Sequence, residues 1–269
     1  MKIMSDATAR AEMPKGSQSV LDRRTVVTAN ANLLQLVKRG DRVLDVGCGS
    51  GAITKDIAGL VGAEGFVMGI DTSEHLIAQA QKTYAHIPNL AFAVADVNKF
   101  KPAELFDLVT SARVLQWLAH PAQVVRNVVP FLKQGGCLTV LDYNHTKVEF
   151  SPDIPNSMRK LYDAFLQWRA DAGMVNAIAD HLEAMFSDAG LAQVSSEDYS
   201  ETSIRGQSNF QDDIALWVIV AEVRGPQLVT DQYITEADRQ QAIRDYRSWM
   251  NTDAQYMKLY LRAISGYRP

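Results

Sequence analysis

Residues 43–51 read Val-Leu-Asp-Val-Gly-Cys-Gly-Ser-Gly, an apolar run followed by three alternating glycines. The run Val43–Val46 is typical of a buried strand, and residues 52–58 have the composition of a helix. A strand that turns sharply into a helix brings backbone N–H groups to one point, and glycines let a ligand lie against them. The stretch therefore predicts a nucleotide-type binding turn. It does not decide which nucleotide, because Gly47-x-Gly49-x-x-Ala52 also fits the dinucleotide fingerprint.

Strand and helix signals alternate on both sides of this turn. Further strands are predicted at 65–71, 90–94, 106–111 and 137–142, with helices at 74–84 and 121–132. This rhythm predicts an α/β fold, a doubly wound and mostly parallel sheet with helices on both faces. One or two helices are predicted within 17–37. After Asn144 the rhythm changes, with predicted helices at 154–172, 176–189, 209–223 and 236–250, and strands at 192–204 and 255–267.

Composition and charge limit the classes of function that the sequence can have. The 269 residues are 47% hydrophobic, enough for a full core, and the formal net charge of -4 with no basic block argues against nucleic-acid binding. Cys48 and Cys137 form no disulfide framework, which favours a reducing, cytoplasmic location. Residues 1–16 lack the apolar core of a secretory signal, and no apolar run is long enough to span a membrane. Histidine, cysteine and acidic residues show no metal-ligand spacing, so no metal is expected.

Acidic residues end two of the predicted strands. Asp71 follows Gly47 by 24 residues, close to the spacing at which an acid meets a pair of ribose hydroxyls. Asp96 follows the third strand and can accept a hydrogen bond from an exocyclic amine. Both acids are expected at the edge of the sheet that carries the glycine turn.

Taken together, these motifs resemble those of the class I S-adenosylmethionine (SAM)-dependent methyltransferases. The small-molecule group that includes the ubiquinone and menaquinone methyltransferases is the most similar. Five segments carry the resemblance, which covers about residues 40–145: 45–51, Gly69-Ile70-Asp71-x-Ser73, Ala95-Asp96-Val97, 106–117 and Leu132-Lys133-Gln134-Gly135-Gly136. Two features depart from the family pattern: Arg113 stands where relatives often carry a small residue or histidine, and the segment 206–255 is longer than a minimal member needs.

The resemblance implies a Rossmann-like sheet of seven strands whose last strand is antiparallel. The extra sequence at about 150–172 and 206–255 enters after the fifth and sixth strands, so these helical inserts are expected to fold over the same edge as a lid. The resemblance also implies a methyltransferase domain over 40–269, preceded by a helical segment over 1–39. The donor would be S-adenosyl-L-methionine, with S-adenosyl-L-homocysteine as product. The implied donor-binding residues are Asp45, Gly47, Cys48, Gly49, Gly51, Asp71, Thr72, Ser73, Asp96, Val97, Ala112, Arg113 and Leu115. Cys48 is expected to contact the ligand by packing rather than to react, and Asp45 either to orient the turn or to bind the ligand's ammonium through water.

Methyl transfer from a sulfonium needs in-line placement and exclusion of water, and a general base only if the acceptor loses a proton. The candidates for such a base are His145 and Tyr143, which follow the fifth strand. Arg23, Arg24 and Arg113 could meet a substrate carboxylate or lie on the solvated surface. The expected partner is a small-molecule acceptor, and the protein is expected to be a monomer or homodimer. The aromatic helix 154–172 and Trp217 could line the acceptor pocket or pack in the core.

Two other functions fit parts of the sequence. A nicotinamide adenine dinucleotide (NAD)-dependent oxidoreductase would use the glycine fingerprint and Tyr143-x-x-x-Lys147, a spacing found in short-chain dehydrogenases. That pair belongs on a helix, however, and here it directly follows a predicted strand. A non-catalytic SAM-binding module is the other alternative, because methyl transfer requires few protein groups.

Overall fold

A computed structural model describes residues 7–11 and 24–269. Three short helices precede the sheet: α1 (Ala7–Ala11), α2 (Val26–Ala29) and α3 (Leu33–Leu36). The helices predicted within 17–37 correspond to α2 and α3, and the remainder of that prediction lies outside the described residues.

The described strands form one sheet. They are β1 (Arg42–Val46), β2 (Phe66–Asp71), β3 (Leu90–Val94), β4 (Phe106–Ala112), β5 (Leu132–Ser151), β6 (Ala192–Asp198), β7 (Glu201–Ile204) and β8 (Tyr256–Tyr267). The order is β3-β2-β1-β4-β5-β8-β6, and β7 also pairs with β8. Neighbours among β1–β5 are parallel, whereas β8 is antiparallel to its partners. The predicted doubly wound sheet with an antiparallel last strand is confirmed.

The sixth strand is divided, so the described chain has eight strands where seven were predicted. The break lies at residues 199–200, where the Asp198 carboxylate accepts a hydrogen bond from Ser200 N (2.8 Å) and closes a local turn. Both halves, β6 and β7, pair with β8.

Nine helices or helical segments follow β1 in the described chain. They are α4 (Ala52–Val61), α5 (Glu74–Thr83), α6 (Pro121–Val128), α7 (Asn156–Asp171), α8 (Ile178–Asp188), α9 (Phe210–Ile214), α10 (Leu216–Val223), α11 (Gly225–Thr230) and α12 (Glu236–Thr252). Two 3-10 turns lie at Leu115–Trp117 and Val129–Phe131. The sequence did not predict α11, and the helix predicted over 209–223 is divided into α9 and α10.

The fifth strand is longer than the predicted 137–142. It runs from Leu132 to Ser151, and β8 pairs with residues 137–144 and 149–151, with an irregular register between Asn144 and Glu149. Tyr143 and His145 therefore lie on this strand, not just after its end as predicted.

The predicted insert helices pack on the extended part of β5 and β8. Trp168 of α7 and Tyr246 of α12 are fully buried there, together with Leu261 of β8. A separate apolar cluster, which includes Leu44 and Val109, packs against the parallel strands. The inserts thus form a second hydrophobic core with β5 and β8, and their role as a lid stays a prediction.

Candidate active site

The glycine turn has the backbone conformation that its sequence predicts, but ligand approach is not the whole reason why glycines are needed there. Gly47, Gly49 and Gly51 all have positive φ, at 77°, 55° and 78°. A Cβ at Gly47 would lie 2.3 Å from a methyl of Val114, and one at Gly51 would lie 2.6 Å from the ring of Phe92. Two of the three glycines are therefore required by contacts within the protein, not only by the approach of a ligand.

A recess opens beside this turn at the carboxyl ends of β1 and β4. It is lined by Arg24, Asn30, Asp45, Gly47, Cys48, Gly49, Ser50, Ala52, Ile53 and Ala112. The structure thus brings together five of the predicted donor-binding residues. The helix that starts here, α4, has Gly51 as its N-cap and no side chain capping its first N–H groups, so those groups are open to an anionic ligand.

Asp45 lies buried beneath the turn. Its carboxylate accepts a hydrogen bond from the Thr54 hydroxyl (2.7 Å), which ties β1 to α4. Burial raises the pKa of Asp45 to about 6, and the nearby Asp71 carboxylate adds to that rise. Both roles considered for Asp45 therefore remain compatible with its position: it orients the turn and it lines the recess.

Asp71 is the last residue of β2, and its carboxylate binds the backbone of the glycine turn. Its two carboxylate oxygens accept hydrogen bonds from Gly49 N and from Ser73 N, both at 2.9 Å. A carboxylate has about four lone-pair sites, so each oxygen can still accept a ribose hydroxyl. Ser73 caps α5, since its hydroxyl accepts from Leu76 N (3.4 Å), and Thr72 is exposed.

Asp96 and Val97 lie at the same edge of the sheet. Ala95 N donates to Asp71 O (2.9 Å), which keeps the residues after β3 beside the end of β2. One oxygen of Asp96 accepts from the backbone and side-chain amides of Asn98, while the other lies 4.0 Å from Lys99 Nζ. With its side chain 39% exposed, Asp96 can accept a further hydrogen bond from a ligand amine.

Sequence reasoning missed Asn30, which lies in the recess. It is 2% exposed, and its Oδ1 has no hydrogen-bond partner among the described residues. A buried carbonyl oxygen without a donor carries a desolvation cost, which a ligand N–H would remove. No motif marks Asn30, because it lies in a polar link between two short helices; only the fold brings it beside Gly47.

Arg24 also lines the recess, half-buried, and burial together with the charge of Arg113 lowers its pKa. Among the arginines considered for a carboxylate, Arg24 is thus at the site, and Arg23 lies outside the described residues.

Arg113 follows Ala112 but does not itself line the recess. Its φ is 61°, and its N–H donates to Leu141 O at 2.7 Å. The guanidinium donates to three protein acceptors: the Tyr143 hydroxyl (2.8 Å), Ala29 O and the Glu201 carboxylate. It therefore joins the N-terminal segment, β5 and β7, and does not face the recess as a free cation.

Leu115 is also placed differently from a ligand-contacting side chain. It is 2% exposed and belongs to the apolar cluster under the sheet. Cys48 lines the recess, and burial raises the pKa of its thiol well above the usual value. A thiol with a raised pKa is a poor nucleophile, and the packing of Cys48 against a ligand stays a prediction.

The predicted catalytic residues lie side by side on β5. The rings of Tyr143 and His145 are 5.3 Å apart between centroids. His145 Nε2 is 2.6 Å from Gln116 Oε1, and Gln116 Nε2 donates to Arg113 O at 3.2 Å. Because the amide oxygen can only accept, His145 carries its proton on Nε2 and its lone pair on Nδ1.

Burial sets the protonation of both residues. It lowers the pKa of His145 well below the usual value, with the charge of Arg169 acting in the same direction. The ring is therefore neutral at physiological pH. Burial also raises the pKa of Tyr143, so its phenol keeps its proton and acts as a hydrogen-bond donor rather than a base.

The dehydrogenase alternative loses its second motif in this fold. Tyr143 and Lys147 both lie on β5, and Lys147 Nζ forms a salt bridge with Asp180 at 2.7 Å. They do not occupy successive turns of a helix. Over residues 7–11 and 24–269, no group of three or more histidine, cysteine or acidic residues could hold a metal ion. In the same part of the chain, no helix has the length and hydrophobicity needed to cross a bilayer.

A family model described as a methyltransferase domain matches residues 37–205. Trans-aconitate 2-methyltransferase of Methylobacterium nodulans is 37% identical over 99 residues, which cover 37% of this chain and 37% of that protein. The ubiquinone/menaquinone biosynthesis C-methyltransferase of Pseudomonas fluorescens is 35% identical over 133 residues, covering 48% of this chain and 49% of that one. The matches thus span half or less of these relatives.

A solved structure supports the same fold. It is that of Haemonchus contortus phosphoethanolamine N-methyltransferase 2 in complex with phosphomonomethylethanolamine and S-adenosylhomocysteine. It aligns with a TM-score of 0.56 and 16% identity over 96% of this chain and 54% of that one. At this identity, the likeness concerns the fold.

Proposed function

Because this chain belongs to the methyltransferase domain family, we propose that it transfers the methyl group of S-adenosylmethionine to a small organic acceptor. One observation carries the proposal. The glycine turn and the unpartnered oxygen of Asn30 line the same recess, and Asp71 accepts a hydrogen bond from Gly49 N of that turn. The family match confirms the resemblance found in the motifs, and with it the methyltransferase class and the expected donor at the level of the family.

The nucleoside end of the donor fits the strand ends. Asp71 accepts hydrogen bonds from the ribose hydroxyls through the lone pairs that Gly49 and Ser73 leave free. Asp96 accepts from the adenine amine, and the backbone of Val97 lies next to it. This arrangement uses charge-assisted hydrogen bonds, which are the stronger ones.

The amino-acid end of the donor fits the side of the recess formed by the N-terminal segment. Arg24 and the uncapped N–H groups of α4 suit its carboxylate. The Asn30 oxygen and the Asp45 carboxylate suit its ammonium group. A zwitterionic ligand is thus matched by a cation and an anion that share one buried site.

When bound, the donor supplies a methyl group on a positively charged sulfur, which is a good leaving group. The protein therefore has to orient the acceptor in line with the carbon–sulfur bond and to exclude water. Gln116 lies in the turn after β4, and Tyr143 and His145 lie on β5. Helix α7 packs against these residues, and the hydroxyl of its Tyr162 donates to His145 O. These residues form the acceptor side of the site.

His145 is assigned as the general base for an acceptor that loses a proton. Its neutral ring presents the Nδ1 lone pair because Gln116 holds the Nε2 proton. Tyr143, fixed by Arg113, donates a hydrogen bond to the acceptor. The relatives support a small acceptor by their names, an aconitate in one case and a quinone precursor in the other.

The test is a methyl-transfer assay with the full chain, S-adenosylmethionine and a panel of small acids, phenols and amines, read by product mass. We expect at least one acceptor to gain one methyl group, with S-adenosylhomocysteine formed in equal amount. For an acceptor that loses a proton, His145→Gln should lower kcat by about 100-fold or more, the usual contribution of a general base. His181→Gln, an exposed histidine on α8, is the control and should keep full activity.

Donor binding without transfer to any member of the panel would favour the non-catalytic module. Equal kcat for wild type and His145→Gln would remove His145 as the base while leaving the transferase assignment intact.

A further inference from the structure

Arg169 of α7 is a fully buried cation at the acceptor side of the site. Its Nη2 donates to Gln116 O at 2.8 Å, and its Nε donates to the Asn176 side-chain oxygen at 2.9 Å. Its Nη1 has no hydrogen-bond partner among the described residues. A buried guanidinium nitrogen without an acceptor is costly, and a ligand oxygen would remove that cost.

Arg169 has no direct ion pair within the part of the chain that the structure describes. The buried carboxylate of Asp142 lies close enough to attract the guanidinium through its charge, and its two oxygens accept from Gln116 N (3.0 Å) and Tyr143 N (2.9 Å). Burial lowers the pKa of Arg169 to about 10, so the group still carries its charge at physiological pH.

Gln116 connects Arg169 to the predicted catalytic residues. Its backbone oxygen accepts from Arg169, while its side-chain oxygen lies 2.6 Å from His145 Nε2. Two aromatic rings flank the guanidinium, Trp117 at 4.5 Å and Phe165 at 5.3 Å from its central carbon. The unpartnered nitrogen therefore belongs to an aromatic, water-poor environment adjacent to His145.

We propose that the methyl acceptor carries a carboxylate and that Arg169 binds it through Nη1, beside Trp117 and Phe165. This inference rests on the proposed function, since it concerns the acceptor side of the same site. A planar carboxylate matches the planar guanidinium and would accept a hydrogen bond from the unpartnered Nη1. The bound group orients the acceptor, and the atom that receives the methyl lies toward His145.

Access to Arg169 requires a movement of the elements that cover it. Helix α1 lies against the turn 115–117, and Arg224 donates to the backbone oxygens of Arg10 (2.8 Å) and Ala11 (3.4 Å). Arg224 also lies on the ring of Trp117, at 4.8 Å. Displacement of this five-residue helix would uncover Trp117 and open a path to the guanidinium.

The experiment measures binding of trans-aconitate and benzoate, each against its carboxamide counterpart, to the full chain saturated with S-adenosylhomocysteine. We expect at least one carboxylate to bind about tenfold or more tightly than its amide, as the loss of a charge-assisted hydrogen bond predicts. Arg169→Gln should abolish that preference, and Arg169→Lys should keep part of it. Arg159→Gln, on the same helix, is the matched control and should leave the preference unchanged.

Three results would overturn the inference: neither carboxylate binds, each amide binds as well as its acid, or the preference survives in Arg169→Gln. The comparison of acid and amide on the wild type needs no variant, so misfolding of Arg169→Gln would not block the test. Titration with S-adenosylhomocysteine alone separates the two claims, because its failure would count against the proposed function and its success would not establish a carboxylate acceptor.

Discussion

At the scale of single residues, Asp45 connects the fold to the chemistry of the donor. Its raised pKa, about 6, means that the carboxylate ionises only in weakly acidic to neutral solution. The folded protein therefore holds a proton that the unfolded chain releases between about pH 4 and pH 6, and this contribution to the free energy of unfolding is lost as the pH rises through that range.

The same titration predicts the pH dependence of donor binding. The ammonium group of S-adenosylmethionine is attracted by ionised Asp45 and not by the protonated form, so affinity should increase several-fold from pH 5 to pH 7. His145 does not contribute a change in charge here, because its pKa is lowered well below the usual value. Calorimetric titrations at several pH values measure the effect.

Asp45→Asn is the matched variant for this prediction, since it keeps the shape of the side chain and removes the ionisation. Its affinity should be independent of pH over the same range. Asp142 also has a pKa raised to about 6 by burial, so a pH dependence that survives in Asp45→Asn would assign the effect to Asp142 instead.

The acids of the proposed donor site could be predicted at this scale, because Asp45, Asp71 and Asp96 lie in or directly after predicted strands; their role in binding stays a prediction. Asn30 and Arg169 could not be predicted. Their importance lies in atoms left without partners, Oδ1 and Nη1, and only the packed structure shows which polar atoms lack partners. Arg113 gives the opposite case, since the fold supplies acceptors for its side chain from three distant segments.

At the scale of elements, the long pair β5 and β8 determines where the insert helices lie. The sequence predicted a short fifth strand, because the continuous apolar pattern ends at Leu141. Beyond that residue the strand leaves the core of the parallel sheet and packs against the insert helices. Its length depends on pairing with β8, more than 100 residues away in the chain, and local patterns do not report such pairing.

Trp217 of α10 tests whether the inserts form one core. It is 3% exposed, and its ring meets that of Tyr162 edge-on at 4.5 Å. Trp217→Ala should lower the free energy of unfolding by about 3–5 kcal/mol, the usual cost of removing a large buried ring. Trp217→Phe should cost clearly less, because it keeps a ring and removes an indole nitrogen that has no partner among the described residues.

Denaturant unfolding of both variants makes the measurement, with Val27→Ala, a 63% exposed position on α2, as the control. A loss below about 1 kcal/mol in Trp217→Ala would show that α10 is not part of a cooperative core with α7.

At the scale of the whole molecule, the sheet places the proposed donor site and the proposed acceptor site at the same edge. The ends of β1–β3 carry the proposed donor-binding residues, and Gln116, Tyr143 and His145 lie after β4 and on β5. The mostly parallel sheet with an antiparallel last strand was predicted from the sequence and is confirmed, whereas the order of its strands is seen only in the structure. The boundary between segment 1–39 and the domain, the cytoplasmic location, the absence of nucleic-acid partners and the monomeric or dimeric state remain predictions.

The central claim is that the recess beside Gly47–Gly51 binds S-adenosylmethionine, and calorimetric titration of the full chain tests it most directly. We predict binding of S-adenosylmethionine and S-adenosylhomocysteine at one site per chain and no binding of NAD. Asp71→Ala should weaken both by about tenfold or more, because hydrogen bonds to a charged group are lost, whereas Glu74→Gln, an exposed acid three residues away, should not. Binding of NAD without binding of S-adenosylmethionine would contradict the account.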